Sequence, residues 1–294
     1  MATVELSSRY STLIDTAFSV ESRIEQALGS LHKSEFNGVK SVWVQSFNPA
    51  PIGNYTRTGT SRYGTPDDIS NAKKEYTVAR DRAFTFIIDK GNYTQNQMMY
   101  NAGAALDTQM KDELIPEFDR YGFWTLAKNA GTSVSTTISD DQNAAYKAFL
   151  DGQAALDDAN VPESGRLCFC SHTFMNALKV DSGGFIRYGN DAQQMAIKGT
   201  MGEVDGVRIV KTSTSLLPTG CQFLLLHPIA SAAPKQLWET KIHTDPPGIS
   251  GWLVEGRFLY DCFVFDKKKN AIYYHGTAPA ATFPEKDYSS GGSG

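Results

Sequence analysis

Residues 94–130 read TQNQMMYNAGAALDTQMKDELIPEFDRYGFWTLAKNA, and the rest of the chain is organised around them. Thr94 and Gln97 have the spacing of a capping box, in which each side chain satisfies a backbone donor that the first helical turn leaves free. Met99, Ala102, Leu106, Met110 and Glu113 with Leu114 then mark three- and four-residue steps, which is one apolar stripe along a helix. Such a rod would be about 30 Å long at 1.5 Å per residue, long for a soluble domain. Pro116 cannot donate to the turn before it. It therefore either kinks the rod or restarts it as the first residue of a second helix through Phe118, Tyr121, Trp124 and Leu126.

Around this axis the composition is that of an ordinary globular chain. The 294 residues could hold about two domains, and 41% hydrophobic with 20% charged residues allows a sizeable core. A net charge of −4 gives no broad basic surface, which argues against a protein that grips duplex DNA through many phosphate contacts. Cys168, Cys170, Cys221 and Cys262 do not form the dense framework of a small secreted domain and are expected to be reduced thiols. The start, MATVELSSRY, lacks the basic and apolar regions of a signal peptide, and no run approaches the about 18 apolar residues of a membrane span. The final SSGGSG has the composition of a flexible linker.

In chain order, Leu13, Ala17, Val20, Ile24, Leu28 and Leu31 repeat at helical spacing, predicting an amphipathic helix over 8–31 whose stripe packs on its own chain or lies as an arm on a neighbouring subunit. Val42, Trp43, Val44 and Phe47 suggest a strand. Residues 48–66 (NPAPIGNYTRTGTSRYGTP) have no apolar period, and loops of this length are usually functional or disordered. Alternation resumes in KEYTVARDRAFTFIID, so the segment reads as a two-stranded excursion with a polar tip, marginal unless it lies on something. After GTSVSTT, Ser139 and Gln142 offer a second capping box before the stripe Ala145, Phe149, Gly152, Leu156 and Ala159. A strand (RLCFCS) and a short helix capped by Ser171 come next, and Asp205-Gly206 between apolar runs signals a hairpin. CQFLLLHP has the continuity of a strand buried on both faces, and GRFLYDCFVFDKKKNAIYY reads as two strands joined by a charged turn at 267–270. The class is α+β, mixed α/β.

This order of an amphipathic arm, a polar hairpin, the long helix, an α/β region and the segments GEVDGVRIV, LLLHPIA and GRFLYDCFVFDKKKNAIYY resembles a tailed-phage major capsid protein of the HK97-like fold. PEFDRYGFWTLAKNAG is also similar to members of that family, and the resemblance covers nearly all of 1–283, its specificity lying in the order of the motifs. It implies an N-terminal arm (1–38), a P domain (39–137) carrying an extended E-loop (48–82) and the spine helix (94–115), an A domain (138–240), closing strands shared by the P and A domains (241–283) and a tail (284–294). It implies a structural protein, without catalytic residues or cofactor, that assembles with itself through hexamers and pentamers into an icosahedral or prolate head shell around a phage genome. Implied partners are portal, decoration or scaffolding proteins and packaged double-stranded DNA held without sequence specificity. The implied location is the virion capsid, assembled in the host cytoplasm, with no membrane contact. Leu13, Ile24 and Leu28 on the arm, with Arg57, Arg62, Tyr63, Arg80 and Arg82 on the hairpin, are the candidate inter-subunit contacts. The arginines would meet carboxylates of neighbouring subunits; the plainer reading is that they are solvated hairpin charges. Some relatives cross-link through a lysine, but the tip at 55–63 has none, and Lys73 and Lys74 lie nearer its base. An encapsulin-type compartment, with protein cargo in place of a genome, is the alternative with the same fold.

An enzyme is the reading from a different class. Cys168, Cys170 and His172 alternate in LCFCSH and would share one face of a strand, a donor set suited to zinc if Cys221 or His227 supplied a fourth ligand. Against this, free cysteines commonly pack as small hydrophobes, and no C-x-x-C pair accompanies them. Ser171-His172 and Ser182-Gly-Gly lack the G-x-S-x-G elbow of a serine hydrolase, and no phosphate-binding glycine loop occurs.

Overall fold

The computed structural model describes residues 22–28, 41–47, 52–60, 62–63, 71–91, 102–138, 143–180 and 203–284. A short helix α1 (Arg23–Leu28) precedes three strands, β1 (Ser41–Phe47), β2 (Asn71–Thr77) and β3 (Arg80–Asp89). The predicted rod follows as α2 (Ala102–Gln109) and α3 (Ile115–Lys128), joined by a π-helical stretch, Met110–Leu114. Here the Ile115 N–H reaches back five residues to the Met110 carbonyl. That widened turn makes room for the ring of Pro116, which in a regular helix would collide with the carbonyl four residues earlier. The helix restarts with Ile115 first and Pro116 second, and it runs on to Lys128 without a break. Its Thr94–Gln97 start and Met99 lie outside the described residues.

Ser22 lies outside the helix and its hydroxyl accepts the Glu25 N–H at 3.1 Å, so α1 begins at Arg23, and the one continuous helix expected over 8–31 is corrected to one interrupted at Ser22. Leu13, Ala17, Val20 and Leu31 lie outside the described residues.

The centre of the molecule is a six-stranded mixed sheet ordered β4-β13-β8-β5-β7-β6, built from β4 (Thr132–Ser135), β5 (Leu167–Cys170), β6 (Glu203–Val204), β7 (Val207–Lys211), β8 (Cys221–Leu226) and β13 (Ile272–Gly276). Its strands alternate across two cores. Phe169, Leu224 and Leu226 pack with Ile24, Leu28, Phe123 and Leu126 of α1 and α3. Cys168, Cys170, Phe223 and Leu225 pack with the helices α4 (Ala144–Asp158) and α5 (His172–Val180). Burial on both faces is why β8 reads as an unbroken apolar run. The Ser171 hydroxyl caps α5 by accepting the Phe174 N–H at 3.2 Å. Asp205 and Gly206 take φ of 54° and 75°, the left-handed pair that a tight β6–β7 hairpin needs. The Ser139–Gln142 box lies outside the described residues, and α4 starts after Asn143, itself at φ 67°.

A second sheet is antiparallel, β10-β11-β3, with β10 (Lys235–Thr244) and β11 (Gly251–Tyr260). The excursion is β1 paired with β2, from Ser41↔Thr77 to Phe47↔Asn71. Two sequence readings are corrected here. KEYTVARDRAFTFIID is not one arm: it divides at Val78–Ala79, sending β2 to the hairpin and β3 to the sheet with β11. GRFLYDCFVFDKKKNAIYY holds three strands, because Asp261 and Cys262 end β11, β12 (Phe263–Val264) pairs with β9 (Ser231–Ala232), and a 3-10 turn (Asp266–Ala271) leads into β13. The break between strands is local in both cases, but the destination of each strand is set by long-range pairing.

Candidate assembly surfaces

The tip of the excursion is held by few bonds. Thr56 N donates to the Arg62 carbonyl at 3.0 Å, Arg62 Nε donates to the Gly59 carbonyl at 3.1 Å, and Gly59 takes φ 97°. Tyr55 and Tyr63 meet edge to face at 5.0 Å, yet Tyr63 is 91% exposed and Ile52 wholly exposed. Arg57 and Arg62 are exposed and form no ion pair among the described residues. Among the described residues no hydrogen bond or ion pair ties the tip to the body, and the tip presents two cations and apolar side chains to the exterior.

Arg80 and Arg82 differ. Arg80 Nη2 lies 2.9 Å and Arg82 Nε 3.0 Å from the same Glu117 oxygen, with the Arg80 side chain 8% exposed. Tyr260 OH donates to that oxygen at 3.2 Å, and Arg80 Nε donates to Tyr260 OH at 3.3 Å. Burial, then the Glu117 charge, pushes the Tyr260 phenol up to about 12, so it stays a neutral donor. The carboxylate that these arginines meet therefore belongs to α3 of their own chain. Beside them Asp261 accepts from Ala79 N at 3.1 Å, Tyr121 OH at 2.8 Å and Cys262 N at 2.8 Å, fixing the corner where the hairpin leaves the body.

Of the arm residues, Ile24 and Leu28 are fully buried against this chain's own α3. A Cβ on Gly122 would lie 3.0 Å from Ile24 Cγ1, so the two helices approach closely there. The fully buried Asp119 accepts from Ser22 Oγ at 2.5 Å, Arg23 N at 2.8 Å and Ile24 N at 3.2 Å, tying the start of α1 to the spine. The Asp119 carboxyl sits above its ordinary range because burial outweighs these bonds. Leu13 lies outside the described residues.

The donor set proposed for zinc does not converge. His172 is the exposed first residue of α5, and the His227 ring is engaged by the Ser164 carbonyl at 3.1 Å and the Ile229 N–H at 3.2 Å. Cys168 and Cys170 face one core and Cys221 the other. Burial raises the Cys170 and Cys221 thiols to about 12 and Cys168 well above its usual value, which holds them protonated. Among the described residues no three His, Cys, Asp or Glu gather as a metal requires.

The solved structures decide the fold. Mycobacterium phage Che8 matches over 92% of this chain and 97% of its own, with TM-score 0.76 and 18% identity. The capsid structure of the cyanophage P-SCSP1u matches over 94% and 93%, with TM-score 0.68 and 15% identity. The chain has the HK97-like capsid fold. A virus-like particle from Pyrococcus furiosus shares the capsid fold more distantly, with TM-score 0.52, 11% identity and coverage of 81% and 86%. No protein-family model and no curated protein matches the sequence. Within the capsid fold, the residues missed in the sequence are Glu117, Asp119 and Asp261, polar groups set among aromatic residues, and the strand β10, where charges interleave with Leu237 and Ile242.

Proposed function

We propose that this chain is the major capsid protein of a tailed phage and that it assembles with itself, through hexamers and pentamers, into the shell enclosing the genome. The observation that carries this is coverage: the likeness spans 92% of this chain and 97% of the Che8 chain, so the match is to the whole capsid fold and not to a fragment of it. In this reading residues 1–38 are the arm, 48–82 the E-loop, 39–137 the P domain, 138–240 the A domain and 241–283 the closing strands. Arg57, Arg62 and Tyr63 are the contacts made with neighbours, whereas Ile24, Leu28, Arg80 and Arg82 brace the subunit from which the loop extends. Many weak contacts closed into symmetric rings give a stable container, because each further contact forms within an assembly already made. The shell lies in the virion, is built in the host cytoplasm, takes in double-stranded DNA without reading its sequence, and meets portal, decoration or scaffolding proteins. The chain acts as structure and not as an enzyme.

Negative-stain microscopy of the purified chain, with size-exclusion chromatography, tests this. Closed shells of uniform diameter are expected when the chain is expressed with its scaffold or alone. A small oligomer with hydrolytic activity would overturn the reading. A cargo compartment is the second reading, supported by the likeness to the virus-like particle but more weakly, at TM-score 0.52 against 0.76. Shells that hold protein and no nucleic acid would favour it.

A further inference from the structure

The central sheet carries unlike surfaces on its two sides. On the side that α1 packs against, Leu167 and Phe169 of β5 lie in register with Arg208 and Val210 of β7. A cleft of about 180 Å³ is left there, lined by these four residues with Arg23 of α1 and Gly165. An apolar cavity of about 150 Å³ accommodates benzene, so the cleft has room for one large apolar side chain. Among the described residues neither guanidinium has an ion-pair partner, and Glu203, which stands across the β6–β7 ladder from Arg208, does not pair with it.

On the other side, α4 covers the sheet with Ala145, Phe149 and Leu156. Its outer face shows solvent a stripe of Leu150, Asp151, Ala154 and Asp158, at three- and four-residue steps. Leu150 is 37% exposed, although it is a large apolar side chain in the middle of a helix. Asp151 and Asp158 stand two turns apart, about 10 Å, and among the described residues neither belongs to an ion pair.

We propose that the cleft receives the outer face of α4 from a second copy of this chain, with Leu150 entering the cleft and Asp151 and Asp158 pairing with Arg23 and Arg208. Two observations choose this occupant. The charges complement one another: two unpaired cations flank an apolar cleft, and two unpaired acids flank an exposed leucine. The one cation at the start of the stripe, Lys147, has its counterpart in Glu163, exposed two residues before Gly165. The second observation is position. The two patches lie on opposite sides of one sheet, so two copies joined this way leave one patch of each kind open, and head-to-tail contacts of that form close into rings. The contact rests on the reading of the chain as a self-assembling subunit, and adds a partner surface to the one at the hairpin tip.

Charge reversal tests it. Arg23→Glu with Arg208→Glu, and separately Asp151→Arg with Asp158→Arg, should each lower the assembled fraction at least tenfold by size-exclusion chromatography and negative-stain microscopy, because like charges then face each other at every contact. All four substitutions in one chain restore the attraction and should return assembly to near the wild-type level, which separates a lost contact from lost folding. Reversed variants that assemble as the wild type does would overturn the docking site and leave self-assembly standing. A fourfold variant that melts like the wild type yet stays unassembled would overturn it as well. A wild-type chain that forms neither rings nor shells, with or without a scaffold, would overturn the self-assembly reading and the docking site together.

Discussion

At Asp119 a carboxylate from one helix caps another: its two oxygens take the Ser22 hydroxyl and the first N–H groups of α1. Replacing it with alanine leaves those donors buried and unpaired, and a loss of about 3 kcal/mol in urea unfolding is expected. Its titration gives a second handle. Because the folded carboxyl lies above the ordinary 3.8, its contribution is complete below 3.8 and is lost as pH rises through the folded value. The stability of wild type relative to Asp119→Asn should therefore fall as pH rises from 3.8 through the folded value, as urea midpoints measured upward from 3.8 would show; a flat difference would mean that the group does not titrate abnormally. Glu117→Ala takes the carboxylate away from the buried Arg80 guanidinium, and should cost about 3 kcal/mol by the same measurement. None of these roles was legible in the sequence. Asp119 sits in PEFDRYGFW like any surface acid on a helix, and its meaning comes from Ser22, far away in the chain. One signal was available: Ser22 and Glu25 have capping-box spacing, inside a stretch whose stripe reads as continuous helix.

Elements were legible where their period is local and their burial simple. The helix through Phe118, Tyr121, Trp124 and Leu126, α5 with its Ser171 cap, the Asp205-Gly206 hairpin and the buried β8 all follow from spacing and turn chemistry. Strand ends were not, since KEYTVARDRAFTFIID keeps its alternation through the point where it changes sheets, and only Asp261 marks the corner. β10 escaped because residues 239–244 are exposed on both faces, with Glu239, Lys241 and His243 forming ion pairs with one another and with β11, so no apolar alternation remains around Leu237 and Ile242. At this scale the corner predicts a coupling. Asp261→Ala should unpair Ala79 N–H and Tyr121 OH, and hydrogen exchange should accelerate through β2 before it does in β8. Equal acceleration in both strands would show that the corner does not hold the hairpin to the body.

For the whole molecule, the fold was readable from the order of elements because no single contact had to be right, while the assembly contacts split once burial was known. Ile24, Leu28, Arg80 and Arg82 turned inward, and Arg57, Arg62 and Tyr63 outward. Deleting 54–63 should accordingly leave a soluble, folded subunit with an unchanged melting temperature that no longer closes shells in the microscope; normal particles from that deletion would remove the tip from the assembly mechanism. The six-stranded sheet also imposes a schedule. Its last strand, β13, lies between β4, the first of its strands in the chain, and β8, so β4 joins the other four strands only through it. A growing polypeptide that has not yet reached Ile272 leaves the edge of β8 open and β4 without its neighbour. Pairings so distant in sequence form slowly and late. Synthesis must thus pass β13 before the six-stranded core can be completed.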